Sequence, residues 1–170
     1  MQHSRVADRI DETDAELLNR LQRDGRISHT ALAEAVDLSV PAVSERLRKL
    51  GERGVLAGHH ATVDAKRVGF DITAFMRVDI RGSEHYPGFL DTVTAFDAVL
   101  EVHSVTGGGS HMLKVRTETT TELERLLSEI QQIEGVRSTS SSIVLSTFKE
   151  TRALPVEPVE LADAEAGEQE

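Results

Sequence analysis

Two groups of residues have types and spacing suited to chemistry, and in both cases the chemistry is binding. The first is Ser39, Val40, Pro41, Ser44, Glu45, Arg48 and Lys49, flanked by Arg46 and Arg53. Short side chains followed by cations are what a helix needs to enter the DNA major groove, since the short ones approach base edges and the cations meet phosphates. Glu45 repels phosphate unless it pairs with Arg48 or Lys49 or accepts from cytosine N4, and pairing is the simpler outcome. Upstream, Ser28, His29 and Thr30 put hydroxyls and unpaired backbone N–H groups at a helix start, which suits a phosphate and equally a plain N-cap. The second group is Thr106, Gly107, Gly108, Gly109, Ser110 and His111. Three glycines let a backbone approach a small ligand closely, but they serve equally well as a hairpin turn.

Covalent catalysis has no candidate residues. Cysteine is absent, Tyr86 is the one tyrosine, and no phosphate loop, nucleophile elbow or paired-acid signature occurs. No catalytic residue and no cofactor are therefore expected. For a metal, His59 and His60 are adjacent and point to opposite sides of an extended chain, which leaves His103 and His111 on neighbouring strands with Glu101 nearby. That set lacks a known spacing, so no metal is expected.

Three closely spaced helical signals must position the first group. Asp11 caps a stripe of Leu17, Leu18 and Leu21, which Gly25 stops in the left-handed conformation; Ser28 caps Leu32, Ala33 and Val36; and Ser39 caps Val43, Leu47 and Leu50, with Pro41 in the first turn. Two short helices joined by the turn Asp37, Leu38, Ser39 form a helix-turn-helix, whose second helix enters the groove. The period then changes. Residues 55–63 read as extended, and residues 72–80, 99–106, 111–117 and 136–148 read as strands. Helices are expected over 86–94 and 120–133. The order βαββαβ is the ferredoxin-like arrangement, so the fold class is α+β, a three-helix domain with or without a wing followed by that domain.

A chain of 170 residues accommodates two small domains, and its net charge of -10 taken alone argues against a nucleic-acid partner. The distribution of that charge points the other way. Residues 1–60 carry nine cations against ten acids and residues 61–153 ten against thirteen, whereas residues 154–170 carry six acids and no cation. The boundaries that follow are a helix-turn-helix domain over 1–60, a linker over 61–71, the second domain over 72–152, and an acidic tail over 153–170. That tail is expected to be disordered or loosely docked and to serve solubility. The polar start, the lack of a long apolar run and the lack of cysteine suggest the cytoplasm, without membrane contact.

The runs IDETDAELLNRLQRDGRISHTALAEAV, LSVPAVSERLRKLGERGVLAGHHATVD and VTGGGSHMLKVRTETTTELERLLSEIQQIEGVRSTSSSIVLSTFKE resemble, in order and spacing, the leucine- and asparagine-responsive regulators of the Lrp/AsnC family. The resemblance implies a DNA-binding transcriptional regulator and no enzyme. It also implies an ACT-like sensing domain and dimers that assemble through their sheets into larger even-numbered rings. An effector, an amino acid or related metabolite, would lie between domains at Thr106 to His111, with Ser138, Thr139 and Ser140 as contributors. The competing reading is an ACT-like module that regulates a partner enzyme by contact.

Two departures from the family matter. Asp37 stands where relatives usually carry Gly, and Asp tolerates the left-handed turn better than most residues. Gly108 and Ser110 stand at positions where relatives often carry acids, and His111 at an aromatic position. A ligand ammonium would then lack a carboxylate partner. A protonated His111 would favour an anion, with affinity falling as pH rises from about 6 to 8.

Overall fold

Asp11 starts the first helix of the computed structural model, which describes residues 9–161. The chain divides into two compact units, residues 63–150 and the remainder on either side. In the helical unit a two-residue strand, β1 (Arg9–Ile10), precedes α1 (Glu12–Arg23), and Asp11 Oδ1 accepts from the Asp14 N–H at 2.8 Å. Ser28 caps α2 (His29–Ala35) through the Ala31 N–H, and Ser39 caps α3 (Val40–Glu52) through the Ala42 N–H. Asp37 takes a φ of 53°, the left-handed turn expected of it. Leu17 of α1, Leu32 of α2, and Val43 and Leu50 of α3 are buried together with Ile10.

Two local expectations are corrected. Gly25 is not left-handed: α1 ends at Arg23, Asp24 is extended, and the Asp24 carboxylate accepts from the Arg26 N–H at 2.9 Å, so a side chain supplies the stop. Residues 55–63 form no strand and hence no wing. Val55 and Leu56 instead donate their N–H groups to Leu50 O and pack on the helical core, while residues 59–64 are exposed.

The second unit has strands β2 (Ile72–Ile80), β3 (Val99–Ser104), β4 (His111–Thr117) and β5 (Val136–Ile143), with α4 (Tyr86–Val93) and α5 (Thr120–Gln131) between them. The sheet order is β3-β4-β2-β5, antiparallel throughout. Alternation sorts the strands by face. Ala74, Met76 and Val78 of β2 and Leu113 and Val115 of β4 are buried with Phe89 and Val93 of α4 and Leu123, Leu126 and Ile130 of α5. Thr73, Phe75, Arg77, Met112, Lys114 and Arg116 take the opposite face, which no helix of this unit covers. The last strand stops at Ile143 rather than near 148. Val144 still donates to Thr73 O at 2.8 Å, but β2 begins at Ile72, so the chain beyond has no partner to pair with. Among the described residues no helix is long and apolar enough to cross a membrane.

Residues 154–161 of the tail, expected to be disordered or loosely docked, return to the helical unit. Asn19 Nδ2 donates to Val156 O at 2.8 Å while Val156 N donates to Asn19 Oδ1 at 3.1 Å. Gln22 does the same with Leu154, at 2.9 and 2.8 Å. Strand β6 (Val159–Glu160) then pairs antiparallel with β1, and Val156 and Leu161 pack on the helical core. Each amide side chain offers a donor and an acceptor, so two of them three residues apart on α1 imitate a strand edge. Residues 162–170, with the remaining acids, lie outside the described residues.

Candidate nucleic-acid interface and effector loop

The buried stripe of Val43, Leu47 and Leu50 fixes which way α3 faces. Val40, Pro41, Glu45, Arg48 and Lys49 are exposed and Ser44 is half-buried. Arg46, a flanking cation in the sequence, turns inward, its Nη1 donating to Asp11 Oδ2 at 2.7 Å and to Asp14 Oδ1 at 2.8 Å. Glu45 pairs as expected, accepting from Arg48 Nε and Nη2 at 2.8 and 2.7 Å, with Lys49 Nζ 3.6 Å away. Arg48 also pairs with Glu52. The Arg48 guanidinium holds the Glu45 carboxyl at about 2, and Glu45 in turn raises Arg48 above its ordinary value. The outer face of α3 is thus a chain of exchangeable ion pairs.

Ser28, His29 and Thr30 are exposed at the start of α2, and His29 Nδ1 lies 2.9 Å from Ser44 Oγ, joining α2 to the outer side of α3. Ser28 and Ser39 are committed as caps through their acceptor lone pairs, which leaves each O–H free to donate. The roles of Asp11 and Asp14 as receivers of Arg46 are silent in the sequence, where a capping pattern accounts for both residues without a third partner.

Thr106 to Ser110 connect β3 to β4. Gly107 and Gly109 have φ of 100° and 96°, a backbone that demands glycine. The Ser110 N–H donates to Val78 O at 2.8 Å and its Oγ accepts from the Ile80 N–H at 3.2 Å, so Ser110 anchors the loop to β2. His111 is corrected. Its side chain is fully buried on the helix-facing side of the sheet, its ring edge-on to Tyr86 (centroids 4.8 Å apart) and tilted against Phe89, 5.1 Å away. Among the described residues neither ring nitrogen has a hydrogen-bond partner, and desolvation lowers its pKa, so near neutrality it is an uncharged core residue and not an anion receptor. The first residue of the expected strand, grouped with the loop as a ligand contributor, is the first inward position of β4.

Alternation also splits the other contributors. Ser138 and Ser140 lie opposite Asp79 and Arg77 on the open face, whereas Thr139 accepts from Gln131 of α5 at 2.8 Å. His103 lies opposite Met112 and pairs with Glu101 at 3.2 Å, on the face away from His111, so these two histidines do not converge on a metal. Among the described residues no group of three such ligands forms. A residue that the sequence does not single out, Arg77, belongs to this region. A Cβ on Gly109 would stand 2.6 Å from Arg77 Cγ, and one on Gly108 would stand 3.5 Å from Arg77 Nη1, so this side chain lies across the loop. The signal that could have found it is the alternation of ITAFMRVDI, which puts Arg77 on the exposed face.

Residues 10–51 match the AsnC-type helix-turn-helix domain, and residues 73–154 match the Lrp/AsnC ligand binding domain. The HTH-type transcriptional regulator FL11 of Pyrococcus horikoshii is 32% identical over 147 residues, spanning 86% of this chain and 97% of that protein. The proline dehydrogenase transcriptional activator of Rhizobium radiobacter is 31% identical, with 89% and 99% covered. Among solved structures, a transcriptional regulator from Neisseria meningitidis in complex with L-methionine superimposes with a TM-score of 0.81 at 29% identity, covering 85% of this chain and 96% of that one. The feast or famine regulatory protein of M. tuberculosis, complexed with L-methionine, gives 0.77 at 33% identity over 86% and 99%. Two consecutive domain matches, in this order and over a fold of the same build, lead to one conclusion: the chain belongs to the Lrp/AsnC family of transcriptional regulators.

Proposed function

We propose that α3 enters the major groove of double-stranded DNA, with Val40, Pro41 and Ser44 near base edges and Arg48 and Lys49 on phosphates. Ser28, His29, Thr30 and Ser39 serve the flanking backbone. The observation that carries this reading is the fixed orientation of α3: its apolar stripe and Arg46 are tied into the helical core, so the exposed face holds the remaining short residues and cations. A homodimer is the minimum unit, and a larger even-numbered assembly follows from pairing dimers. One recognition helix spans few base pairs, and paired half-sites about one turn apart call for two-fold symmetry. The uncovered sheet face, with Phe75 42% exposed, supplies a surface for that pairing. The β3–β4 loop over Thr106 to Ser110 serves as the effector site, a reading supported by the L-methionine complexes of two neighbours. The regulator acts in the cytoplasm.

The test is fluorescence anisotropy with a labelled duplex from upstream of the protein's own gene, over a salt series, with light scattering on the same sample. Affinity should fall linearly on logarithmic axes as salt rises, because cation–phosphate contacts release counterions. Absence of binding at about 50 mM salt, or a stable monomer at micromolar concentration, overturns the reading.

A further inference from the structure

The geometry points to a carboxylate that lacks an α-ammonium group, a 2-oxo acid, as the ligand of the β3–β4 loop, with Arg77 as the residue that selects it. This inference rests on the loop being the effector site, and it departs from the amino acid found in the two solved neighbours. The loop and the side chain laid across it carry one formal charge, the Arg77 cation, and no anion. The approach of Arg77 to Gly109 and Gly108 brings its guanidinium against the loop, and no carboxylate pairs with Arg77 among the described residues. The backbone N–H groups of Gly107, Gly108 and Gly109 also bond to nothing among the described residues. The Ser110 hydroxyl, whose oxygen already accepts from Ile80, has its O–H left to donate.

A free carboxylate for a cation is missing from the same region among the described residues. Every carboxylate whose strand position or bonding puts it on that sheet face is already matched among the described residues: Asp79 with Arg137 at 2.6 Å, Glu101 with His103 and Lys114, and Glu150 with Lys114 and Arg116. An ammonium brought to the loop would meet neutral carbonyls and the Arg77 cation, and would gain a carboxylate partner only by displacing a cation from one of these pairs. A carboxylate meets the opposite situation. A guanidinium is a planar fork that fits it with two parallel bonds, and a 2-oxo oxygen is a further acceptor for the loop N–H groups and the Ser110 hydroxyl. Replacing the ammonium of an amino acid by a carbonyl oxygen removes a positive charge that this loop meets with no anion and adds an acceptor for its N–H groups.

Isosteric pairs separate the two ligand classes. Full-length protein is titrated calorimetrically at pH 7.5 with leucine against 4-methyl-2-oxopentanoate, methionine against 4-methylsulfanyl-2-oxobutanoate, and sodium sulfate. The 2-oxo acid of each pair should bind at least about tenfold more tightly than its amino acid, the effect of one charge-assisted hydrogen bond. Arg77→Gln should lose that binding at an unchanged melting temperature without ligand, and Arg77→Lys should keep part of it as a point charge. Gly108→Asp should also abolish it: Gly108 is not left-handed, so Asp is tolerated there, and its carboxylate occupies the guanidinium in place of the ligand. Amino acids binding as well as their oxo analogues, indifference to Arg77→Gln, or sulfate matching the oxo acids would each overturn the ligand class and leave the effector loop standing. No binding by any member of either pair would overturn the loop as an effector site as well.

Discussion

Arg46 and Asp14 join the middle of α3 to the first turn of α1, with Arg46 Nη1 2.8 Å from Asp14 Oδ1 and Asp14 only 6% exposed. The same nitrogen reaches Asp11, which also caps α1, so one cation braces two helices at a helix N-terminus, where carboxylates are favoured. Arg46→Ala leaves a mostly buried carboxylate without its partner and should cost about 1–3 kcal/mol of stability, whereas loss of the exposed pairs of Arg48 should cost far less. Urea unfolding and DNA titration separate the two, since Arg46→Ala lowers stability first and Arg48→Ala lowers affinity first. If Arg46→Ala weakened DNA binding at an unaltered unfolding midpoint, the brace would be refuted.

The Asp11 carboxyl gives the brace a pH dependence. Burial raises its pKa, but the Asp14 N–H and the Arg46 guanidinium outweigh that, and the net value lies below 3.8. A depressed folded-state value means stability that is complete above the ordinary carboxylate range and lost as pH falls through the folded value. Thermal melts of wild type should therefore fall more steeply below about pH 4 than those of Asp11→Asn.

On the reading of α3 as the groove helix, Glu45 restrains DNA binding. Its carboxylate holds Arg48 in two hydrogen bonds that a phosphate would have to replace, and it would bring a negative charge towards the groove. Glu45→Gln should raise duplex affinity about two- to fivefold with little change in melting temperature, since exposed ion pairs contribute little stability. Because Arg48 holds the Glu45 carboxyl at about 2, mild acidification cannot imitate the substitution. Equal affinity of the two proteins at low salt would argue that Arg48 never leaves its carboxylates.

His111 makes acid stability a property of the sensing unit. Its desolvated ring has a pKa below 6.5, so the unfolded chain binds the proton more readily than the folded one. Stability attached to the neutral ring is complete above about 6.5 and is lost as pH falls through the lower folded value. His111→Leu removes two unpaired buried nitrogens and should raise stability by about 1 kcal/mol at pH 7, and by more at pH 5. Calorimetric scans at both pH values would detect this, and equal gains at the two would mean that the ring does not titrate.

The helical half is legible in the sequence because its signals are local. Ser28, Ser39 and Asp11 are caps read from residue type and spacing, Pro41 marks a first turn, and Asp37 needs only the turn that surrounds it. Strand alternation finds the sheet but assigns faces poorly at its ends. His111 starts a strand in the sequence yet groups with the loop as a ligand residue, although it is the first inward position of β4, and Thr139 groups by sequence with neighbours that point the other way. Arg77 escapes such a reading because its partner is a loop about thirty residues downstream, and only the pairing of β2 with β4 brings them together. The same limit applies to Asn19 and Gln22, whose partners in the returning segment lie 137 and 132 residues away. A polar residue on a helix surface announces no partner at that distance.

That returning segment lies largely beyond the ligand-binding domain match, which ends at residue 154, and it contributes to a unit at the other end of the sequence. Asn19 supplies both a donor and an acceptor to Val156, while Ile10, 2% exposed, sits in the strand that β6 pairs with. Asn19→Ala should cost about 1 kcal/mol, the net worth of an exchanged hydrogen-bond pair, and a chain ending at Ala153 should lose more because Val156 and Leu161 also leave the helical core. The ordering of about eight residues opposes these gains, so the loss should amount to a few degrees in melting temperature rather than to unfolding. A chain ending at Leu161 keeps every one of these bonds and serves as the control. If it and the chain ending at Ala153 melted together with the full-length protein, the segment would be a passenger on α1 and not a clasp, and the paired amides of Asn19 and Gln22 would be stabilising nothing that water does not stabilise equally well.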